Sequence, residues 1–477
     1  MGLRAAHVKG RDHRRYERVY IMLTSVRLQN YKCFADTGTL RIAPLTILVG
    51  ENNSGKSSLL HALQLFAVTA QTRDPDSPLR LVGADYDFGS FEDLAIGHRK
   101  DVEIGFSFGC EGHTEPWLPG GSSGDFSAVF DLRFCYLPRR REIHLGAFAI
   151  RDDEGEFLHL EADRYDKRLS GRLRRHCDLF EWAGSGAFWR RGFVYLPNYE
   201  MLEQRRTKQG KKGKPIDWDL FGDMNRVAQM VTQLERDFRN THHLGPLRSP
   251  PKRAYLYSGG TPRSVGPNGE SALLLYSVLA TRRGAADAEV VKRIDEALYQ
   301  LGFVNEFGMR PVGKRWHEFW TRHKQSGLDA SLADTGFGAS QVLPVIISAY
   351  ASGEGATLLY EQPEIHLHPA AQAELGSVLA DAVSDGKRIV IETHSENLIL
   401  RVLREIADPK RRLCEDDVAF YYTKPTTEGH EVVQLPVDAS GRFVSAWPKG
   451  FFAEGFHEAQ ALTLLQTERR QDASGRD

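Results

Sequence analysis

One stretch near the N-terminus, residues 47–60, constrains this chain more than any other part of it. An apolar run of strand length at 45–49 is followed by the pattern GxxxxGKS and then by apolar residues at helical spacing from 58 to 66. A strand, a glycine-rich loop and a helix in this order predict a P-loop, whose backbone N–H groups and helix N-terminus bind phosphate.

Each part of this loop has a predicted role in holding a nucleotide. Gly50 and Gly55 let the backbone turn so that successive N–H groups face one point. Lys56 is placed to reach the β- and γ-phosphates, and the Ser57 hydroxyl to bind Mg²⁺. The predicted nucleotide-binding residues of the loop are Gly50, Asn52, Asn53, Ser54, Gly55, Lys56, Ser57 and Ser58.

Composition argues against several classes of protein. A chain of 477 residues with a net charge of −1 has the length of one elaborated domain or about two to three ordinary ones, and no overall field that favours nucleic acid or membrane. The cysteines at 33, 110, 135, 177 and 414 show no CxxC or paired spacing, which favours a reducing cytoplasm over a disulfide scaffold or a metal knuckle. No apolar run approaches the roughly 18 residues of a membrane span.

The first residues are basic. Arginines and lysines precede Tyr20 without an apolar segment after them, so this stretch does not predict a secretory signal. A transit peptide, a disordered basic arm, and an upstream start codon with the natural start at Met22 remain open, and we favour the last. The cations are Arg4, Lys9, Arg11, Arg14, Arg15 and Arg18.

The middle of the chain changes character. Residues 101–162 alternate or are rich in β-branched and aromatic residues, with turn residues between the segments, which predicts a β-meander. Helical periodicity returns at 222–240 and 286–302, without the sustained heptads of a coiled coil. Three basic clusters fit either nucleic-acid contact or a solvated face, and the third reads as a mobile loop. They are 139–141; 172, 174 and 175; and 205, 206, 208, 211, 212 and 214.

Polar motifs return in the last third. A loop with Gly336 and Gly338 precedes Ser340, Gln341 and an apolar helix. Proline fits best in a first helical turn, so Pro344 predicts that this helix starts near Ser340. Two apolar strands follow, at 356–360 and 388–391. The first ends in Glu361, Gln362, Pro363 and Glu364, and the second in Glu392, Thr393, His394 and Ser395.

Alternating strands and helices with polar residues at the strand ends predict an α/β fold, with a mostly parallel sheet and a site at its carboxyl edge. Glu361 is placed to hold Mg²⁺ together with Ser57, and His394, one strand away, to sense the γ-phosphate. A single carboxylate at a strand end is more often structural. Here several such features follow a P-loop in order, which favours the functional interpretation.

These motifs resemble those of the ABC-class ATPases of the SMC/RecF/OLD (overcoming-lysogenization-defect) group. The line LQNYKCF…PLTILVGENNSGKSSLL is similar to that group's opening, GFGASQVLPVI to its signature, LLYEQPEIHLHP to Walker B with the D-loop, and IETHS to the H-switch. Residues 242–270 resemble a block of OLD-like ATPases. The segment WPKGFF at 447–452 is similar to stand-alone members found in defence or restriction loci. Residues from about 100 to 240 match only in general character.

The resemblance implies a P-loop NTPase of the ABC head type, with a β-rich and helical insertion. The implied cofactors are ATP and Mg²⁺. Gly338, Ser340 and Gln341 would contact the ATP held by another subunit, so that a homodimer or higher homo-oligomer forms around two ATP. The implied divisions are a basic extension at 1–22, the ATPase head at 23–100 and 241–410, the insertion at 101–240, and a β/α extension at 411–477.

Two features depart from the group. The second Walker B carboxylate, which polarises the attacking water, is replaced by Gln362, and a glutamine orients water without taking its proton. Hydrolysis is therefore expected to be slow, with Gln362, Glu364 and His394 as the catalytic candidates and Glu364 as the alternative base. Many OLD proteins carry a C-terminal Toprim nuclease, but residues 395–477 hold only one acidic cluster, at 415–417, and no nuclease domain is expected. The Q-loop glutamine is not assigned; its expected neighbourhood is 89–94.

The predicted function is a cytoplasmic ATP-hydrolysing switch that controls a separate effector of nuclease or toxin type, or a DNA transaction, in prokaryotic defence or DNA maintenance, without a membrane partner. An ATP-binding scaffold with little turnover is an alternative that Gln362 favours. A transporter subunit is opposed by the inserted β region and the LHP sequence of the D-loop. A simple kinase or GTPase is opposed by the signature, and a GTPase also by the missing NKxD motif.

Overall fold

The structure is a computed structural model that describes most of residues 22–445. The exceptions are 73–76, 84, 115–123, 163–168, 174–180, 183–187, 192, 198–217, 258, 283, 303, 323–325, 336, 412 and 428. Several predictions fall outside the described residues: those on the basic N-terminus, the cations at 205–214, Gly336 and the segment at 447–452.

The nucleotide sheet carries the P-loop and is mostly parallel. Its strand order is β13 (Thr241–Leu244), β18 (Thr357–Glu361), β19 (Arg388–Glu392), β4 (Leu45–Gly50), β20 (Val418–Thr426) and β21 (Gly429–Leu435). All neighbours pair in parallel except β21, which returns antiparallel from β20. Strands β4, β18 and β19 are buried along their whole length, which explains their continuous apolar sequences. The predicted α/β fold is confirmed.

A second, antiparallel sheet begins with β1 (Met22–Tyr31), which pairs with β2 (Phe34–Asp36), β3 (Leu40–Arg41) and β5 (Ile104–Thr114). It continues as the predicted meander through β6 (Gly124–Leu137), β7 (Glu142–Asp152), β8 (Gly155–Ala162), β9 (Leu169–Leu173) and β10 (Glu181–Trp182). Strands β11 (Phe188–Arg191) and β12 (Val194–Pro197) form a separate pair. The strands of the predicted insertion thus extend a sheet that the first strand of the head begins.

A third, small sheet is formed by chain segments that precede the signature region in the sequence. Its strands are β14 (Tyr255–Leu256), β16 (Trp316–Arg322), β15 (Glu306–Val312) and β17 (Asp329–Ser331), all antiparallel. Its inner face is aromatic, since Phe319 packs against Tyr255 and Phe307 at ring-centroid distances of 5.5 and 6.0 Å. The structure therefore adds a sheet that the sequence patterns did not predict.

Helices cover both faces of the nucleotide sheet. Helix α1 (Lys56–Thr72) lies between this sheet and the antiparallel one. There its Phe66 packs against Phe106 and Phe108 at ring-centroid distances of 4.9 and 4.7 Å. The short α2 (Phe91–Leu94) follows, and α3 (Trp218–Arg239) packs beside α1. The other face is covered by α4 (Ala272–Thr281), α5 (Ala285–Gln300), α6 (Phe337–Ala351), α7 (Pro369–Ser384) and α8 (Glu396–Ala407). No described helix combines the length and apolarity needed to cross a membrane.

The prediction that a helix starts near Ser340 is wrong. Helix α6 begins at Phe337 and carries Pro344 inside it, where the proline cannot donate the backbone bond to the Ser340 carbonyl. Gly269, with a φ of +71°, backs onto this proline, and a Cβ at Gly269 would lie 2.5 Å from the Pro344 Cγ. Packing of a buried helix therefore outweighs the local preference of proline, and the missing side chain at Gly269 makes room for the ring.

Candidate nucleotide-binding site

The loop between β4 and α1 has the backbone geometry of a phosphate cradle. Gly50 and Gly55 have φ values of +149° and +98°, which disfavour residues with side chains. A Cβ at Gly50 would lie 2.4 Å from the Thr423 carbonyl oxygen, and a Cβ at Gly55 would lie 2.7 Å from the Cys33 Sγ. Both glycines are therefore needed where the loop passes close to its neighbours. The Ser54 hydroxyl, 2.5 Å from the Thr423 hydroxyl, ties the loop to β20.

Lys56 begins α1 as a buried cation. Its Nζ donates to the carbonyl oxygens of Gly50 and Glu51 at 3.0 and 2.6 Å, and lies 4.0 Å from the Glu392 Oε1. Burial lowers the pKa of Lys56, while the carboxylates of Glu392 and Glu51 oppose that change. A desolvated lysine held at the mouth of a glycine-rich loop is suited to an anionic ligand.

The carboxylate next to Ser57 is Glu392, not the predicted Glu361. The Ser57 hydroxyl donates to the Glu392 Oε2 at 2.6 Å, because β19 lies directly beside β4 and its last residue reaches the loop. Burial raises the pKa of Glu392, and the bond from Ser57 and the charge of Lys56 oppose that rise. The sequence does carry a signal for Glu392, since it is the last residue of a buried strand, two positions before His394.

Glu361, at the end of β18, is held by two histidines. His243 and His61 both approach the Glu361 Oε1 through Nε2, at 2.7 and 3.2 Å. Gln64 and Lys32 contact the Nδ1 atoms of His243 and His61 at 2.9 and 3.4 Å. Because the lysine ammonium only donates, the His61 Nδ1 accepts and its Nε2–H donates to Glu361. The same assignment at His243 makes all four bonds consistent.

These bonds decide the charge of Glu361. Burial alone would raise its pKa, but the hydrogen bonds from His243 and His61 outweigh burial and lower the pKa to about 2. The carboxylate is therefore ionised throughout the physiological range. His61 lies one helical turn after Ser57 and His243 on the distant β13, so no contiguous motif reveals this cluster.

The donor sets of the two carboxylates differ in the metal that they suit. Ser57 and Glu392 offer oxygen atoms only, which fits the preference of Mg²⁺. The ligand atoms of His61, His243 and Glu361 lie within 4.8 Å of one another and include two imidazole nitrogens, a set more typical of zinc or other transition metals. On this chemistry, Ser57 with Glu392 is the better match for Mg²⁺, while Glu361 is already engaged by two N–H donors.

Removing one of these donors should destabilise the fold. We expect His243→Ala to lower the free energy of unfolding by about 1–3 kcal/mol, because a buried carboxylate loses its shorter bond. Denaturant unfolding at neutral pH measures the change. In a Glu361→Gln background the same substitution should cost less, because the charge that needs the bond is gone. Equal costs in both backgrounds would show that His243 acts by packing alone.

The backbone after Glu361 is pinned by Arg248, a residue in the 242–270 block. Its guanidinium donates to the carbonyl oxygens of Glu361 and Gln362 at 2.9 and 3.1 Å, and burial lowers its pKa to about 10. Gln362 has a φ of +43°, and its N–H donates to the Glu392 carbonyl at 2.8 Å. The tip of β18 is therefore held in an unusual conformation by contacts from two other segments.

Glu364 and His394 meet at the neighbouring strand ends. The Glu364 Oε1 accepts from the His394 backbone N–H at 2.8 Å. Burial raises the pKa of Glu364, and the His394 amide and the Thr393 hydroxyl oppose this in part. Burial and the nearby Lys56 lower the pKa of the more exposed His394. The structure therefore brings together the predicted Glu361, Gln362, Glu364 and His394 with the P-loop residues Lys56 and Ser57.

The signature residues lie on the first turns of α6. Gly338 is half-buried, but Ser340 and Gln341 are 6% and 2% exposed. The predicted contact from the Ser340 hydroxyl to another subunit's nucleotide is thus not available from this conformation, because the side chain is buried in the protein. The N–H groups of the first helical turn remain as the donors of this segment.

Comparisons with known proteins place these observations in context. A family model described as an AAA ATPase domain matches residues 22–112 and 287–399. A second, described as a protein of unknown function (DUF3696), matches residues 413–462. The DNA replication and repair protein RecF of Gloeobacter violaceus is 43% identical over 53 residues, which are 11% of this chain and 14% of RecF. The match to this curated relative thus covers far less than two thirds of its length.

Solved structures of SMC heads are also similar. An SMC head domain from Thermotoga maritima has 10% identity and a TM-score of 0.37, covering 87% of this chain and 99% of that one. An Smc head domain with an extended coiled coil, bound to the C-terminal domain of ScpA derived from Pyrococcus furiosus, has 9% identity and a TM-score of 0.41, covering 94% and 100%. A likeness of this strength does not by itself define the fold.

The AAA ATPase model skips the middle of the chain and matches on either side of it. The structure joins these two parts in one sheet, where β4 from the first part pairs with β19 from the second. Lys56 and Ser57 from the first part then meet Glu392 from the second. The two segments that resemble an AAA ATPase domain therefore form one unit in this protein, with the P-loop and the strand-end carboxylates brought together across the division.

Proposed function

We propose that this protein is an ATP-binding and ATP-hydrolysing switch, in which the heads of two chains pair around nucleotide and thereby control a separate effector protein or a DNA transaction. The observation that carries the proposal is the convergence of Lys56, Ser57 and Glu392, within 2.6 to 4.0 Å, at the mouth of a glycine-constrained loop. The match of residues 22–112 and 287–399 to an AAA ATPase domain supports ATP as the nucleotide. In this proposal two chains pair, a separate effector responds to that pairing, and the protein acts in prokaryotic defence or DNA maintenance.

The chain's own groups divide the work of holding ATP and Mg²⁺. The amides of the Gly50–Ser58 loop and the Lys56 ammonium neutralise the phosphates, while Ser57 and Glu392 supply oxygen ligands for the metal. Bound Mg²⁺ would neutralise charge that develops on the phosphates. Glu361, kept ionised by His61 and His243, adds negative charge one strand further along the carboxyl edge.

We assign the general base for hydrolysis to Glu364 rather than Gln362. A base works best when its pKa is close to the operating pH, and burial moves the pKa of Glu364 in that direction. Gln362 has no proton-accepting group, so its proposed role is to orient the water. Because the base is displaced by two positions from the usual one, turnover is expected to be slow.

Substitutions at these two residues separate their roles. Glu364→Gln is expected to reduce the ATP turnover rate by about 10²- to 10⁴-fold, the usual contribution of a general base, with ATP affinity little changed. Gln362→Glu restores a carboxylate at the usual position and should speed turnover. Steady-state phosphate release measures both variants. A Gln362→Glu chain that is faster while Glu364→Gln keeps the wild-type rate would return the base to position 362.

An ATP-binding scaffold is the second candidate, and Gln362 is the observation that favours it. The two functions differ in one measurement. A switch releases phosphate from ATP in the presence of Mg²⁺ and stops when the metal is chelated. A scaffold binds ATP with the same loop but shows no phosphate release under either condition. Phosphate release by wild type that stops when Mg²⁺ is chelated supports the switch, and ATP binding by wild type without any phosphate release supports the scaffold.

A further inference from the structure

The small sheet of β14, β16, β15 and β17 presents a second surface, away from the nucleotide loop. Residues directly opposite each other in neighbouring strands share a face of the sheet. Trp316 lies opposite Leu256 on one side and Val312 on the other. All three are exposed, by 46%, 43% and 47%, so an apolar row crosses three strands in contact with solvent. An exposed tryptophan in such a row is typical of a binding surface rather than of a free one.

The same face continues with a second tryptophan. Trp320 lies four residues after Trp316 on β16 and therefore on the same side of the sheet. The guanidinium groups of Arg310 and Arg322 lie 6.0 and 5.2 Å from its ring centroid. Arg310 pairs with Glu318 at 3.4 Å, and Arg322 with Asp329 at 2.7 Å and with Glu306. At this end of the face the positive charge is thus already balanced.

The end that carries Trp316 is different, because its cations are unbalanced. The hairpin between β15 and β16 turns at Gly313, with a φ of +68°, and Lys314 and Arg315 are exposed on it. Lys252, also exposed, lies three residues before the start of β14. None of these three cations has an acidic partner within the part of the chain that the structure describes. An exposed aromatic surface edged by three such cations suits an anionic partner that also carries planar rings.

We propose that this face binds single-stranded nucleic acid, with a base stacked on Trp316 and backbone phosphates near Lys252, Lys314 and Arg315. Every base offers a face for stacking, and a groove of positive charge follows the backbone, which is how sequence-independent single-strand binders work. In a duplex the base faces are hidden, so a platform of this kind favours unpaired strands. A protein partner is the competing occupant, and it would have to supply acidic groups for three cations.

The platform is linked to the signature helix over a short path. Strand β17 belongs to the small sheet and ends at Ser331, six residues before α6 begins at Phe337. Between them, Asp334 accepts two bonds from Arg253, at 2.9 and 2.8 Å, which ties this connection to the segment before β14. Single-stranded nucleic acid bound on the small sheet would therefore shift the conformational equilibrium of the first turn of α6. This coupling rests on the proposed ATPase switch, whereas the binding surface does not.

The binding step is tested with the full chain and a fluorescently labelled oligo(dT) of about 20 nucleotides, long enough to cover a typical site. Fluorescence anisotropy is expected to show binding that Trp316→Ala weakens by roughly 10-fold, because the stacking of one base is removed, and that Trp316→Phe largely retains. Tyr299→Ala, at an exposed aromatic on α5, is the matched control and should bind like wild type. Lys314→Ala with Arg315→Ala should reduce the salt slope by about 0.7 for each phosphate that is no longer neutralised.

Three results would overturn the binding surface. One is equal affinity of wild type and Trp316→Ala for the oligonucleotide, or no binding by either. Another is self-association of the wild-type chain that Trp316→Ala abolishes while the oligonucleotide has no effect, which would assign the face to protein contact. A duplex of the same length that binds as tightly as the single strand would also contradict a stacking platform.

The coupling step has its own readout. Saturating oligonucleotide is expected to change the ATP turnover rate of wild type, and Arg253→Ala should remove this response while keeping the oligonucleotide affinity. A response that persists in Arg253→Ala overturns the route through Asp334. If wild type shows no ATP turnover at all, that result counts against the proposed ATPase and not against the binding surface. The anisotropy measurement reports oligonucleotide binding independently of turnover.

Discussion

Lys56→Ala is expected to abolish ATP turnover and to weaken ATP binding by roughly 10- to 100-fold, the range for losing a charge-assisted hydrogen bond in a desolvated site. The lysine is 3% exposed and makes its hydrogen bonds within the loop itself, so its charge is held where the phosphates are expected. Removing its charge also leaves the buried Glu392 without the cation 4.0 Å away, which increases repulsion of phosphate.

Isothermal titration with ATP and phosphate-release assays measure the two effects of Lys56→Ala separately. The matched control is Lys292→Ala, the same substitution at a lysine on α5 whose side chain is 63% exposed and pairs with Glu296. The control should bind and turn over ATP like wild type. Unchanged affinity and rate in Lys56→Ala would remove the loop from the nucleotide site.

The second large effect concerns pairing of two chains. If the first turn of α6 meets the γ-phosphate held by a partner, an acidic residue there should prevent pairing by repulsion. Gly338→Asp tests pairing more cleanly than a change at Ser340 does, because Ser340 is buried and a large replacement there would disturb the core. An aspartate near a helix N-terminus is favourable in the unpaired chain, so the fold should persist. We expect ATP binding to remain and ATP-dependent pairing and turnover to be lost.

Light scattering of each chain with and without ATP measures this second effect, with turnover measured in parallel. Gly338→Asn, nearly the same shape without the charge, is the control and should retain part of the pairing. Mixing Gly338→Asp with Lys56→Ala should restore at most one working site per dimer, because each chain supplies the half that the other lacks. A Gly338→Asp chain that hydrolyses ATP like wild type, or a wild type that turns over as a strict monomer, would refute the shared site.

The sequence was most informative where function depends on contiguous residues. The P-loop, the buried strands at 45–49 and 388–391, and the meander at 101–162 all appear in the structure. In each case a local period or a fixed spacing determines the element. The carboxylates at the strand ends were also predictable, because parallel strands bring their ends to one edge.

The partners of those carboxylates were not predictable, because they depend on which segments the fold brings together. His61, His243 and Arg248 come from a helix, a strand and a loop that are far apart in the chain, and each looks ordinary in its own segment. Ser57 contacts Glu392 and not the predicted Glu361 because of the strand order, since β19 and not β18 adjoins β4. The prediction from Pro344 was wrong although it rested on a local pattern. Proline usually lies in the first turn of a helix, but here it lies inside a buried helix whose packing outweighs that preference.

The position of β4 in the sheet has a consequence for how the protein is made. The P-loop strand pairs with β19 and β20, and Gly50 lies opposite Thr423, so the loop of residues 50–57 rests on segments that a ribosome adds several hundred residues later. Until Val418–Thr426 has emerged, one edge of β4 lacks its partner and Ser54 lacks Thr423. A chain released early would thus carry the complete P-loop motif and still lack a formed nucleotide site. Synthesis itself would restrict ATP binding to chains from which β20 has already emerged.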